Sequence, residues 1–337
     1  MRATSERRYW VGFDLGGSKM LAVVYDSEFR QVARKRKRTR GSGGASEGLD
    51  RILALIDTAL EAAGAPREAL AGIGLGCPGP LDLDKGIVLE MPNLGWKKVK
   101  VRAELERAFA CPAVVVNDVD AGVYGEFRFG AAKGSRCVVG VFPGTGIGGG
   151  AVYQGEIIRG AKGSALEIGH VPVIRDGPLC GCGRRGCLEA VAGRLAISAA
   201  AAMAGYRGEA PALLKAAGTD LQNIRSRALA DAIAAGDKAV EMIVREAARM
   251  IGWAMAGVVD VLAPDTVLLG GGLVNDMPEL FESEIGAALK AQVMPAFSDT
   301  FKVVAAKLGD DASVTGAAAL VQRAVQGAVA TAPGPSA

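Results

Sequence analysis

The stretch that most limits what this chain can become runs from Glu167 to Glu189. It begins Glu167-Ile168-Gly169-His170 and ends Cys180-Gly181-Cys182-Gly183-Arg184-Arg185-Gly186-Cys187-Leu188-Glu189. His170 is the only histidine in the chain, and three of the six cysteines follow it at C-x-C-x4-C spacing. Three thiolates and one imidazole are a common donor set for a tetrahedral structural zinc. Glycines at 181, 183 and 186 are expected at positive φ, which lets the backbone wrap a small ion. The other reading, inert buried thiols beside a core histidine, fits poorly with the Gly, Arg and Pro around them. A zinc with four protein donors has no open position, so the metal is structural. Glu167 and Glu189 frame the turn, and a rigid set of two carboxylates and an imidazole suits a ligand rich in hydroxyls. Taken alone, either glutamate is equally a solvated surface charge.

Two glycine turns carry the next signal. Tyr9–Asp14 and Met20–Tyr25 read as strands around Asp14-Leu15-Gly16-Gly17-Ser18-Lys19, a hairpin pattern. The order Gly-Ser-Lys and the strand that follows exclude a P-loop, which must open a helix. The turn still offers backbone N–H groups and the Ser18 hydroxyl to a phosphate, with Asp14 placed to hold Mg²⁺ through water. An ordinary hairpin turn is the competing reading. Gly144-Thr145-Gly146-Ile147-Gly148-Gly149-Gly150 satisfies G-x-G-x-x-G, but strand, turn and strand follow it where a dinucleotide site needs a helix. Two strand–glycine–strand devices suggest a duplicated architecture with phosphates held between them.

The rest of the chain alternates strands and helices. Helices are expected at Glu47–Ala63, Val101–Phe109, Ala121–Phe127, Leu188–Met203, Pro211–Ala217, Leu221–Ala235, Asp237–Leu262, Met277–Lys290 and Ala312–Val325. Gly252, Ala254, Ala256 and Gly257 in the long helix are expected to allow close packing. Strands are expected at Ala71–Cys77, Ala113–Val116, Arg136–Val141, Thr266–Leu269 and Phe301–Ala305. Asn117-Asp118 ends one strand and starts a helix, where α/β sheets place their chemistry; Asn and Asp are also good N-caps. Met91-Pro92-Asn93-Leu94-Gly95-Trp96 reads as a loop whose amide and indole suit a polyol. Gly270-Gly271-Gly272 ends a strand where backbone can lie flat against a base or ribose. The basic run Arg34–Arg40 is read as a solvated strand and turn rather than a nucleic-acid patch. Residues 1–8 and the Ala-Pro-Gly-Pro-Ser tail are expected to be loose.

Composition bounds the class. The 337 residues suffice for two domains. Half are apolar and only 5% aromatic, so the core is aliphatic. Lys plus Arg number 39 against 36 acids, a balance that gives no case for a nucleic-acid or membrane partner. No run approaches the ~18 apolar residues of a membrane span. With no signal peptide, the thiols read as reduced and the protein as cytoplasmic.

Taken together and in order, these motifs, with Pro78-Gly79-Pro80 among them, resemble the ROK family (repressors, open reading frames and sugar kinases), and most of all its bacterial glucokinase branch. The resemblance runs from about residue 9 to about residue 325. It implies an α/β, actin-like (ribonuclease H-like) two-domain ATPase fold with an interdomain cleft and a zinc knuckle. Residues 1–118 plus 312–337 would form the smaller N-terminal domain, and 119–311 the larger one with the knuckle. The activity implied is ATP-dependent phosphorylation of a hexose at its 6-hydroxyl, most simply glucose. Asp118 would be the general base, and Asn93, Asn117, Glu167, His170 and Glu189 would bind sugar. Asp14, Gly16, Gly17, Ser18 and Lys19, with Gly144, Thr145, Gly146 and Gly148, would hold the phosphates and Mg²⁺. Gly270, Gly271 and Gly272 would take the adenosine side. His170, Cys180, Cys182 and Cys187 would ligate zinc. A homodimer or higher homo-oligomer is the family-level expectation.

The chain departs from the family pattern in three places. Ser18 stands where Thr is usual, Phe142-Pro143 where Thr-Leu-like residues are commoner, and Leu166 where Gly is usual. Leu166 is expected to tighten the sugar pocket. The alternatives are a kinase for fructose, mannose, N-acetylglucosamine or N-acetylmannosamine, or a sugar-sensing regulator. Repressors need a helix-turn-helix before the first strand, and only about eight polar residues precede it here.

Overall fold

The computed structural model describes residues 9–17, 19–39, 43–161, 163 and 165–331, apart from the side chains of Asn93 and of residues 328–331. Readings made for residues 1–8, Ser18, Arg40, the Asn93 amide and the C-terminal tail lie outside the described residues. The chain divides into two compact units. The first is Met1–Gly130, Arg159–Ser164 and Asp310–Ala337; the second is Ala131–Ile158 and Ala165–Gly309.

The first unit is built on apolar strands. β1 (Tyr9–Leu15) and β2 (Lys19–Tyr25) pair antiparallel, and β3 (Gln31–Arg38) adds outside β2. The basic residues of β3 thus line a sheet edge, where charge discourages pairing with another chain. After α1 (Gly44–Ala63), β4 (Leu70–Cys77) pairs parallel with β1. β5 (Leu81–Asp82), β6 (Ile87–Met91) and β7 (Trp96–Val99) then form a small antiparallel sheet. Here the sequence reading is corrected: between β6 and β7 lies one turn of 3-10 helix, Pro92–Leu94, in place of an open loop. The Trp96 ring is buried, so its indole belongs to the core. α2 (Val101–Phe109) leads to β8 (Ala113–Asn117), parallel to β4, and α3 (Asp118–Phe129) follows directly.

The second unit repeats this plan. β9 (Cys137–Pro143), β10 (Ile147–Tyr153) and β11 (Glu156–Ile157) are antiparallel neighbours. A helical stretch follows: α4 (Leu188–Ala192), α5 (Arg194–Tyr206), α6 (Pro211–Ala217), α7 (Ser226–Ala234) and α8 (Lys238–Leu262). β12 (Thr266–Leu269) pairs parallel with β9. After α9 (Gly271–Asp276) and α10 (Pro278–Gln292), β13 (Lys302–Ala305) pairs parallel with β12. The two large sheets therefore share one order, β3-β2-β1-β4-β8 and β11-β10-β9-β12-β13, with the same strand directions. The last helix, α11 (Ala312–Thr331), packs in the first unit on β1, β4 and α3.

Other expectations shift in detail. The helix expected over Leu188–Met203 is two helices, broken at Gly193, whose φ of −68° and ψ of 154° are extended. By length and mean hydropathy the 19 residues Leu188–Tyr206 resemble a membrane span. Leu188, Ala192, Ile197, Ala201 and Ala204 from this stretch instead join the core of the second unit. Gly252 does allow close packing, since a Cβ there would lie 2.6 Å from the Ile285 carbonyl of α10, but Gly257 faces open space.

Candidate active site

In the first unit, parallel pairing brings three strand ends into line. Asp14 on β1 is opposite Gly76 on β4, and Cys77 on β4 is opposite Asn117 on β8. Two carboxylates, Asp14 and Asp118, so emerge at the carboxyl ends of β1 and β8, the strands on either side of β4, at the edge where open α/β sheets bind ligands. Asn117 is the N-cap of α3. Its Oδ1 accepts from the N–H of Val119 at 2.9 Å and of Asp120 at 3.2 Å, which leaves the amide nitrogen as its donor end. Asp118 Oδ1 accepts from the Val119 N–H at 3.0 Å.

Both acids are harder to ionise than a free aspartate. Burial raises the Asp118 carboxyl, with the Val119 N–H opposing it. Asp14 is pushed up to about 7, first by burial and then by the charge of Asp118. The Ser313 hydroxyl, which donates to Asp14 Oδ1 at 3.1 Å, and Lys19 act in the other direction. Two carboxylates competing for ionisation in one partly buried place attract a cation. At the hairpin, the Gly16 N–H donates to the Lys19 carbonyl at 3.0 Å and closes the turn. Gly17 is exposed. The Lys19 ammonium pairs with Asp310. Sequence reasoning missed Ser313 and Asp310. Ser313 lies 299 positions from its partner, and an Asp-Asp pair ahead of a helix was the one signal available.

The second unit holds the cysteine turn. The ligand atoms of His170, Cys180, Cys182 and Cys187 all lie within 4.8 Å of one another. Cys182 Sγ and Cys187 Sγ are 3.7 Å apart, and Cys180 Sγ is 3.5 Å from His170 Nδ1. A tetrahedral ion about 2.3 Å from sulfur and about 2.0 Å from nitrogen needs edges of roughly 3.8 Å and 3.5 Å, so the donors fit one. The Arg184 N–H, and then its side chain, lower the Cys182 thiol toward the thiolate a metal requires. Gly183 at φ 85° and Gly186 at φ 75° adopt the expected left-handed backbone, whereas Gly181 does not.

The glycine turn packs directly on this knuckle. Glu189 Oε2 accepts from the Ile147 N–H at 2.9 Å, and its Oε1 lies 3.9 Å from Cys180 Sγ. Glu189 therefore links the phosphate-loop candidate to the metal turn. A Cβ at residue 146 would sit 2.1 Å from Glu189 Oε2, which explains Gly146. Gly144 and Gly148 are partly buried. Thr145 is exposed, and its hydroxyl accepts from Arg194 Nη2 at 2.8 Å. Glu167 is exposed and stands just before the single turn Ile168–His170. Leu166, at φ 56°, holds a left-handed conformation that favours Gly. Gly270 and Gly271 lie against Phe142 and Pro143, and Gly271, at φ 84°, opens α9 with Gly272.

Twin mixed sheets of one topology, an acid pair on one and a Cys3His turn beside the other, define an α/β protein of the duplicated-sheet class. The profile of the ROK family matches residues 10–324, and the chain belongs to that family. It is 32% identical to a glucokinase of Thermotoga maritima over 94% of this chain and 98% of that one. The ROK glucokinase of Streptomyces griseus, solved with glucose and AMPPNP, is similar at a TM-score of 0.81 and 31% identity, covering 94% and 99% of the two chains. The ROK hexokinase of Thermus thermophilus is similar at 0.78 and 31%, over 95% and 99%.

Proposed function

We propose that this chain is a cytoplasmic sugar kinase of the actin-like ATPase type that transfers the γ-phosphoryl group of Mg-ATP to the 6-hydroxyl of a hexose, with glucose the first candidate. The observation that carries the reading is Asp118. It is a carboxylate of raised pKa at a parallel strand end, fixed by its own helix and beside a second acid. Similarity over nearly the whole chain to glucokinases, one of them solved with glucose and a nucleotide analogue, supports the substrate class.

Asp118 takes the proton of the 6-hydroxyl as that oxygen bonds to the γ-phosphorus and the bond to the bridging oxygen breaks. ADP leaves, and Asp118 returns the proton to solvent. The raised carboxyl is closer in basicity to working pH than an ordinary aspartate, and such a base contributes about 10²–10⁴ in rate. Positioning and charge neutralisation contribute the rest. Mg²⁺, when bound with ATP near Asp14, supplies charge neutralisation on the phosphates. Asn93, the amide nitrogen of Asn117, Glu167 and Glu189 hold sugar hydroxyls. Zinc fits the four donors and supplies rigidity. With Nδ1 turned to the cysteines, His170 keeps Nε2–H as a donor to the sugar.

The test is ADP release with glucose, mannose, fructose, N-acetylglucosamine and N-acetylmannosamine. Glucose is expected to give the highest kcat/KM. Release with another sugar alone would move the assignment to that sugar, and release with none would overturn the kinase reading.

A further inference from the structure

The turn that opens α11 is tied to each of the three strands β1, β2 and β3. Asp310 pairs with Lys19 of β2, Asp311 Oδ1 accepts from Arg34 Nη2 of β3 at 3.1 Å, and Thr315 Oγ1 lies 2.8 Å from the Tyr25 hydroxyl of β2. Ser313 reaches β1, where its Oγ donates to Asp14 Oδ1 at 3.1 Å across 299 positions of sequence. The two ion pairs are open to solvent and hold little energy. The Tyr25–Thr315 pair is buried and anchors the helix. Ser313 alone of the four bonds an acid of the strand-end pair. Main chain fixes where it stands. A Cβ on Gly12 of β1 would lie 2.0 Å from the Val314 carbonyl, so strand and helix meet with no side chain between them. A Cβ on Gly76 of β4 would lie 2.7 Å from Ser313 Oγ and 3.6 Å from Asp118 Cα, so the hydroxyl fills the gap that this glycine leaves beside Asp118. The bond from Ser313 occupies Oδ1 of Asp14. The other oxygen, Oδ2, faces the glycine hairpin, 3.8 Å from where a Cβ on Gly16 would be. The terminal torsion of an aspartate is broad when nothing holds it, and one hydrogen bond here selects which oxygen the hairpin side sees.

We propose that Ser313 is a positioning residue: it sets the Asp14 carboxylate so that Oδ2 is presented to the cation of a Mg-nucleotide at the hairpin. This deepens the kinase reading and rests on it for the identity of the nucleotide. Ser313 acts through Asp14 and not on the substrate. The first turn of the last helix is thereby part of the cation site, which no stretch near Asp14 in the sequence could supply.

The experiment is calorimetric titration of the purified chain with Mg-ADP, with ADP in excess EDTA and with glucose, for wild type, Ser313→Ala, Thr315→Val, Asp14→Asn and the Asp14→Asn, Ser313→Ala double variant. Wild type should bind Mg-ADP more tightly than ADP alone. Loss of a hydrogen bond to a charged group is expected to weaken Mg-ADP about tenfold in Ser313→Ala and to leave metal-free ADP and glucose unchanged. Thr315→Val removes a bond of the same helix that meets no carboxylate, so it should lower the melting temperature at unchanged Mg-ADP affinity. In the Asp14→Asn background Ser313→Ala should add no further loss, as a residue acting through Asp14 requires. Wild-type Mg-ADP affinity in Ser313→Ala, an equal loss for metal-free ADP, an equal loss in Thr315→Val, or additive losses in the double variant would each overturn the positioning role. So would a wild type that binds ADP equally well with and without Mg²⁺. A wild type that prefers Mg-ADP but phosphorylates no hexose would sink the kinase reading and leave the role of Ser313 standing.

Discussion

Asp14 and Asp118 ionise against burial and, for Asp14, against its neighbour's charge. This has a consequence for stability as well as for catalysis. The unfolded chain loses the Asp14 proton near 3.8 and the folded chain near 7, so between these values the native state binds the extra proton. Stability attributable to Asp14 therefore falls as pH rises from about 4 to about 7, and is level above that. The melting temperature of the metal-free protein should drop over this window. Asp14→Asn should remove most of the drop, worth about 2 kcal/mol once solvent at the partly exposed carboxylate is allowed for. A wild-type profile that rises over the window would contradict the assignment. Asp118→Ala addresses the chemistry. Its kcat should fall at least 10²-fold while glucose affinity changes little, and near-normal turnover would remove it as the base. Lys19 is the third residue at this place. Its pairing with Asp310 competes with any anion at the hairpin, so Asp310→Asn should lower KM for Mg-ATP a few-fold without raising kcat.

Backbone approach is what the elements of the first unit share. A Cβ on Gly74 of β4 would lie 1.8 Å from the Ala317 carbonyl, and one on Gly316 of α11 would lie 1.7 Å from the Ala121 carbonyl. Rigid main chain on both sides cannot give way, so Gly316→Ala should destabilise by about 3 kcal/mol or more, read as a lower denaturation midpoint at unchanged m-value. Gly257→Ala is the opposite case. Its Cβ meets nothing within 4 Å, and residue 257 is still inside α8 (Lys238–Leu262), so the change should stabilise by about 0.5–1 kcal/mol. That contrast marks the limit of the sequence. Periodicity and turn residues located nearly all the long elements, because apolar runs and helix stripes are local signals. Which glycine of α8 touches α10 is decided by a partner tens of residues away, and Gly252 and Gly257 look alike in the chain. The metal turn was legible because all its donors lie within eighteen residues. Asn117-Asp118 was legible as a strand end and as an N-cap of the helix that follows, but its carboxylate neighbour Asp14 was not. Ser313, Asp310 and Arg194 were invisible because each acts on a residue brought to it only by folding.

The whole chain reads out ligand binding as a rise in melting temperature, by an amount set by ligand concentration over Kd. On the proposed reading, glucose is gripped by groups braced on the cysteine turn, and Asp118 acts on it without being needed for that grip. Glucose at 100 times its Kd should then stabilise wild type by about 2.7 kcal/mol, a rise of a few degrees. Asp118→Ala should keep this rise. Cys182→Ser should lose it, since a site short of one thiolate holds zinc poorly and its backbone loses the tie between His170 and Cys187. The second unit has an extensive apolar core apart from the knuckle, so this variant should still fold, with a lower melting temperature and a retained Mg-ATP shift. Metal analysis sets the reference, with one zinc per chain expected in wild type and none in Cys182→Ser. If the zinc-free variant shows the full glucose shift, the metal does not brace the sugar site. If wild type carries no zinc and still binds glucose, Glu167, His170 and Glu189 are held by packing and by the Ile147 N–H alone.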